Sequence, residues 1–158
     1  MAARNRWRWP LAAAIAAIAA AAVVAIFVGS DAESPADPAD AALVSLGASV
    51  YARHCASCHG ASLEGQPNWQ TRRADGRLPA PPHDASGHTW HHPDRVLFEM
   101  VMDGVAKHAP PGYRSDMPAY RRVLSEREVW AVLAYIKSRW PPQILQRQQR
   151  IDRLSRER

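Results

Sequence analysis

The sequence predicts an all-α fold in which helices and long loops wrap one large ligand, with an apolar N-terminal export or anchor helix ahead of them. Three observations carry this. No run alternates apolar and polar residues in the manner of a strand, and two stretches, Leu43 to Tyr51 and Val129 to Trp140, repeat apolar residues at the helical period. Gly60 to His92 holds no sustained period of either kind, although it is rich in Pro, Gly and His. A structureless stretch of that length is unusual in a compact domain unless it encloses something, so a ligand is expected to serve as part of the core.

Leu11 to Val28 are eighteen consecutive apolar residues, ten of them alanine, preceded by "RNRWRWP". The run sits at the lower limit for a membrane span and exceeds a usual signal core, so residues 1–29 read as a signal-anchor segment. Small residues around Ser30 and Ala32 offer a cleavage site as the alternative, which would leave a soluble periplasmic protein. Arg4, Arg6 and Arg8 hold the leading end in the cytoplasm, and everything after Gly29 is expected on the periplasmic side of the cytoplasmic membrane. Residues 30–40 are Ala, Pro, Asp and Ser with one Glu, a composition expected of a flexible tether with a typical span of roughly 15–20 Å.

The formal charge of +5 does not argue for nucleic acid. Three of the 20 basic residues precede the apolar run, all 15 acids follow it, and five arginines crowd residues 143–158. The basic balance therefore belongs largely to the two ends. With 158 residues there is room for one ordinary domain plus appendages, and residues 41–142 are expected to form it.

Within that domain, Leu43, Leu46, Gly47, Val50 and Tyr51 mark one face of a first helix, with Asp40 available as its cap. Pro93 suits the first turn of a short second helix, Asp94 to about Asp103, carrying Leu97, Met100, Val101 and Gly104 on one side. A last helix opens at "SERE", where Ser125 and Glu128 have capping-box spacing. Val129, Val132, Leu133, Ile136 and Trp140 form its face, and Pro141 and Pro142 stop it. Residues 143–158 are a polar, Arg-rich tail with a thin stripe at Ile144, Ile151 and Leu154, expected as a frayed, solvated helix.

Both cysteines of the chain lie in "YARHCASCHG". A disulfide across two residues closes too small a loop to contribute much to folding. A redox dithiol of the thioredoxin kind needs a strand-to-helix junction, which this helix-rich chain does not offer. A structural zinc needs four ligands, and there is no second cysteine pair. Covalent haem uses every residue of the motif: Cys55 and Cys58 form thioethers to the two vinyl groups, and His59 is placed under the iron as its proximal ligand. The expected cofactor is one haem c.

From Ala41 to Pro142 the chain resembles a class I c-type cytochrome, through "LGASVYARHCASCHG", a wrapping loop, "SDMPAY" and the closing helix "EREVWAVLAYIKSRWP". The resemblance implies the cytochrome c fold, in which the first and last helices cross at a small residue and aromatics. Gly47 and Tyr51 match one partner and Tyr135 the other. It also implies a distal iron ligand at Met117–Pro118, and a proline carbonyl, Pro81 or Pro82, accepting the His59 Nδ1 proton. The N-terminal segment is similar to that of membrane-anchored bacterial members.

Among the remaining methionines, Met100 and Met102 lie on the short helix and are expected as core filler. Met117 sits in a Pro- and Gly-bounded loop, where a side chain can be aimed. His/Met ligation favours the ferrous state and leaves no open site on the iron, which argues for an electron carrier rather than an enzyme. Arg72, Arg73, Trp69 and Trp90 are candidate donors to the haem propionates.

His83, His88, His91, His92 and His108 read mainly as loop polar groups, although "HTWHHP" offers His91 and His92 as donors to copper. The expectation is a mono-haem one-electron carrier serving redox partner proteins, with transient, charge-guided docking. The rival readings are a haem enzyme or a redox or gas sensor with a labile distal site, and a copper-handling redox protein.

Overall fold

The computed structural model describes residues 34–157; the expected signal-anchor segment, 1–29, and residues 30–33 of the tether lie outside the described residues. Five α-helices and two 3-10 turns follow one another, and no strand occurs among the described residues. They are α1 (Ala41–His54), α2 (Ala56–His59), a 3-10 turn (Thr89–His91), α3 (Asp94–Asp103), a second 3-10 turn (Val105–His108), α4 (Glu126–Ser138) and α5 (Pro142–Arg156). Among the described residues no helix is long and apolar enough to cross a membrane.

Local chemistry sets the helix starts. The Asp40 carboxylate accepts from the Ala42 and Leu43 amides at 2.9 and 3.0 Å, satisfying donors that the first turn of α1 leaves without partners. At α4 the Ser125 hydroxyl accepts from the Glu128 amide while Glu128 reaches back to the Ser125 amide, completing the expected capping box. Pro93 stands one position earlier than expected, as the cap residue of α3, and Gly104 ends that helix at φ +89.

The main packing is α1 against α4. Val50 and Tyr51 from α1 meet Val129, Val132, Leu133 and Ile136 from α4, all of them buried. Each such side chain contributes roughly 1.5–3 kcal/mol on burial. The helices cross at Gly47, where a Cβ would stand 1.9 Å from the Ala131 carbonyl oxygen. Only hydrogen fits there. Tyr51 and Tyr135 pack beside the crossing with ring centroids 5.4 Å apart, as the resemblance implies.

Two expectations about the ends of the domain are corrected. Residues 143–158 are not a frayed, solvated appendage: α5 docks, and its polar Gln148 and Asp152 are buried. The described part of the tether, 34–40, is not free either, because Ala36 is fully buried and the Ser34 hydroxyl bonds Asp94.

The physical reason is a buried polar cluster that no hydrophobic period could announce. Lys137 Nζ on α4 pairs with Asp94 Oδ2 at 2.6 Å, with both side chains about 97 % buried or more. Gln148 Nε2 donates to Asp94 Oδ1 at 2.7 Å, and Asp152 Oδ1 accepts from the Asp94 amide at 3.0 Å. A buried ion pair is tolerable only when its remaining hydrogen-bonding capacity is met in this way. The cluster fastens the segment at Ser34, α3, α4 and α5 to one another.

Candidate functional site

α1 delivers the cysteine motif directly. The Cys55 amide continues the helical bonding to the Tyr51 carbonyl at 2.9 Å, and α2 then turns once, with the His59 amide on the Cys55 carbonyl at 2.9 Å. This places Cys55, Cys58 and His59 together along a cavity of about 430 Å³, a volume suited to an organic cofactor. The two cysteines form no disulfide with one another. Burial, with Cys58 nearby, pushes the Cys55 thiol up to about 11. That keeps it protonated at neutral pH, the opposite of the depressed value a dithiol redox centre requires.

Backbone holds His59 in place. His59 is 7 % exposed, and its Nδ1 lies 2.8 Å from the Pro81 carbonyl oxygen, which chooses Pro81 over Pro82. With Nδ1 donating there, Nε2 carries the lone pair available to a metal. Burial lowers the His59 pKa, partly offset by the Pro81 bond, which favours the neutral ring that a metal ligand needs. Gly65 makes the approach possible: its amide bonds the His59 carbonyl at 2.8 Å, its φ is +69, and a Cβ there would lie 2.5 Å from the Pro82 nitrogen.

Behind His59 stands His83, stacked on it with centroids 4.1 Å apart. Its amide bonds the Leu63 carbonyl, its Nδ1 meets Thr89 Oγ1 at 2.8 Å, and its carbonyl accepts the Trp140 indole N–H at 2.7 Å. Desolvation, with the neighbouring His59 and His88 imidazoles, holds its pKa well below the usual value. His83 is thus a half-buried ring that backs His59, a role that its place in a loop did not signal.

Met117 reaches the same cavity from the loop between α3 and α4. Pro118 follows it, and the Met117 amide is taken by Ser115 Oγ at 3.0 Å. On the far side the loop is pinned by the Tyr120 and Arg121 amides, which donate to the Val101 and Met102 carbonyls at 3.0 and 3.1 Å. Met102 is core filler as expected, 3 % exposed, whereas Met100 is not: two residues earlier, and so roughly on the opposite side of α3, it lines the cavity.

The expected propionate donors divide. Trp69 and Arg73 line the cavity, joined by Gln66 and Tyr113, which the sequence reading did not single out. Arg72 instead donates to the Gly76 carbonyl and lies over the Tyr113 ring, and Trp90 packs under the Arg147 guanidinium and beside His91. His88 and His92 border the cavity, with His88 stacked on Trp69. Among the described residues no three His, Cys, Asp or Glu side chains gather in a geometry that could hold a metal ion.

These residues suit haem. The lining is mainly aliphatic and aromatic, with Leu97, Val101, Val132, Leu133 and Ile136 among it, and histidines, Gln66, Arg73 and Asp116 supply polar groups. Two thiols, the oriented His59 imidazole and the thioethers of Met100 and Met117 border the same space. A family model described as cytochrome c matches residues 44–140. The chain belongs to the cytochrome c family, and is a haem-binding electron-transfer protein. No curated protein and no solved structure matches it.

Proposed function

We propose that the protein holds a single haem c, bonded through Cys55 and Cys58 and ligated by His59 and Met117, and works as a one-electron carrier on the periplasmic face of the cytoplasmic membrane. The observation that supports this most is the meeting of the motif cysteines, His59 and Met117 on one largely apolar cavity, although Met117 is 58 residues further along the chain than His59. Haem supplies a reversible ferrous–ferric couple when bound. The chain's own residues hold it, keep water from it and present its edge: His59 is oriented by Pro81, the apolar face of α4 excludes solvent, and Trp69, Arg73 and Tyr113 offer polar hydrogens to carboxylates.

The membrane context rests on the eighteen-residue apolar run and the arginines ahead of it. The partners are a donor and an acceptor protein that approach transiently.

The test is the near-infrared iron–sulfur absorption of the ferric, haem-loaded protein, recorded for the wild type and Met117→Ala. The carrier reading expects the band in the wild type and its loss in the variant. A wild type without it that binds carbon monoxide rapidly would favour an open-site enzyme or sensor instead.

A further inference from the structure

We propose that Asp116 is a positioning residue for Met117, acting through an ionic seam between the two loops that close over the cavity. The inference rests on the assignment of Met117 as distal ligand. Downstream, the methionine loop is anchored to α3 by the Tyr120 and Arg121 backbone. Upstream, its long-range ties run to the loop of residues 66–80. Asp116, adjacent to Met117, engages two arginines with its two carboxylate oxygens: Arg73 Nη1 at 3.1 Å from Oδ2 and Arg77 Nε at 3.0 Å from Oδ1. Arg114 Nη1 donates to the Asp75 carbonyl at 3.4 Å, and the Arg72 guanidinium lies 5.7 Å from the Tyr113 ring centroid.

The receiving loop is itself braced. The Arg73 amide bonds the Arg77 carbonyl at 2.8 Å, and Gln66 Oε1 accepts from both Arg73 Nη2 and the Ala80 amide. Asp116 therefore grips a preformed turn rather than a slack chain. Arg73 and Asp116 also border the cavity alongside Met117, so opening the seam opens the distal wall.

The exposure of these groups decides what kind of effect to expect. Asp116 is 54 % exposed, Arg73 44 % and Arg77 31 %. Solvent-exposed ion pairs contribute little to global stability and weaken with salt. A loop held at one end by such a pair can open without the domain unfolding. The seam thus sets how readily the distal position opens, in a salt-dependent way, while leaving the unfolding midpoint nearly unchanged.

The experiment measures the rate at which imidazole displaces the distal ligand of the ferric, haem-loaded protein, at low and high sodium chloride. The proteins compared are the wild type, Asp116→Asn and Arg77→Gln. Asp116→Asn is expected to exchange about 3- to 10-fold faster at low salt, and Arg77→Gln by a smaller factor. Salt should accelerate the wild type toward the variants and leave Asp116→Asn unaffected, with the urea midpoint of Asp116→Asn unmoved. Equal rates and equal salt dependence in the wild type and Asp116→Asn overturn the seam. A shifted urea midpoint with unchanged exchange assigns Asp116 a merely structural role and likewise overturns it. If Met117→Ala retains the near-infrared band, the ligand assignment itself fails, and the seam fails with it for that separate reason.

Discussion

Replacing Gly47 with alanine tests the helix crossing on which the cavity is built. The added Cβ would meet the Ala131 carbonyl oxygen at 1.9 Å, its carbon at 2.5 Å and Tyr135 Cβ at 2.9 Å. Ordinary contact begins near 3.4 Å, so α1 and α4 must separate locally by about 1.5 Å. The obstacle is backbone within a helix, which cannot swing aside as a long side chain would. A gap of that size removes about half or more of the dispersion energy across the contact. Overpacking of this kind costs about 3 kcal/mol or more. Alanine's better helix propensity returns about 1 kcal/mol, so the net expectation is a loss of about 2 kcal/mol or more. Urea unfolding of the haem-loaded protein, followed by circular dichroism, reads it directly. If Gly47→Ala proves as stable as the wild type or more so, helix propensity has outweighed the clash, and the account of this crossing is wrong.

Lys137→Met strands the buried Asp94 carboxylate without its cation and is expected to cost about 3–5 kcal/mol. Adding Asp94→Asn to that variant should restore part of the loss, and urea titration of the wild type and the two variants decides. Ser125→Ala removes the cap of α4 and should lower stability by about 1 kcal/mol, again by urea midpoint. The Glu128 carboxyl is held below its usual value by the Ser125 backbone N–H and hydroxyl. Its contribution is therefore present above the unfolded pKa and fades as pH falls from about 4.5 through the lower folded value. An acid titration of stability should be shallower in Glu128→Gln than in the wild type over that window. An identical slope would remove the carboxylate from the account.

What could be read from the sequence was local. Helical period marks α1 and α4 because burial on one side of a helix recurs every three to four residues, and caps are written within four residues of the start. The haem motif is similarly self-contained, with two thiols and an imidazole presented within five consecutive residues. The place of Met117 on the cavity was expected because a methionine before proline in a loop matches the family's pattern.

The tertiary structure decided what depends on residues distant in sequence. Spacing could not choose between Pro81 and Pro82, since only the folded loop shows whose carbonyl faces Nδ1 of His59. Nor could it turn Met100 toward the cavity and Met102 away from it, or direct Arg72 and Trp90 elsewhere. The docking of α5 was hidden for a similar reason. Its buried face presents Gln148 and Asp152, and polar side chains are stable inside only where partners from α3, α4 and the segment at Ser34 converge on them. Apolar burial follows a period that one segment displays by itself, whereas a buried hydrogen bond needs two addresses, and the chain states the second one only by folding.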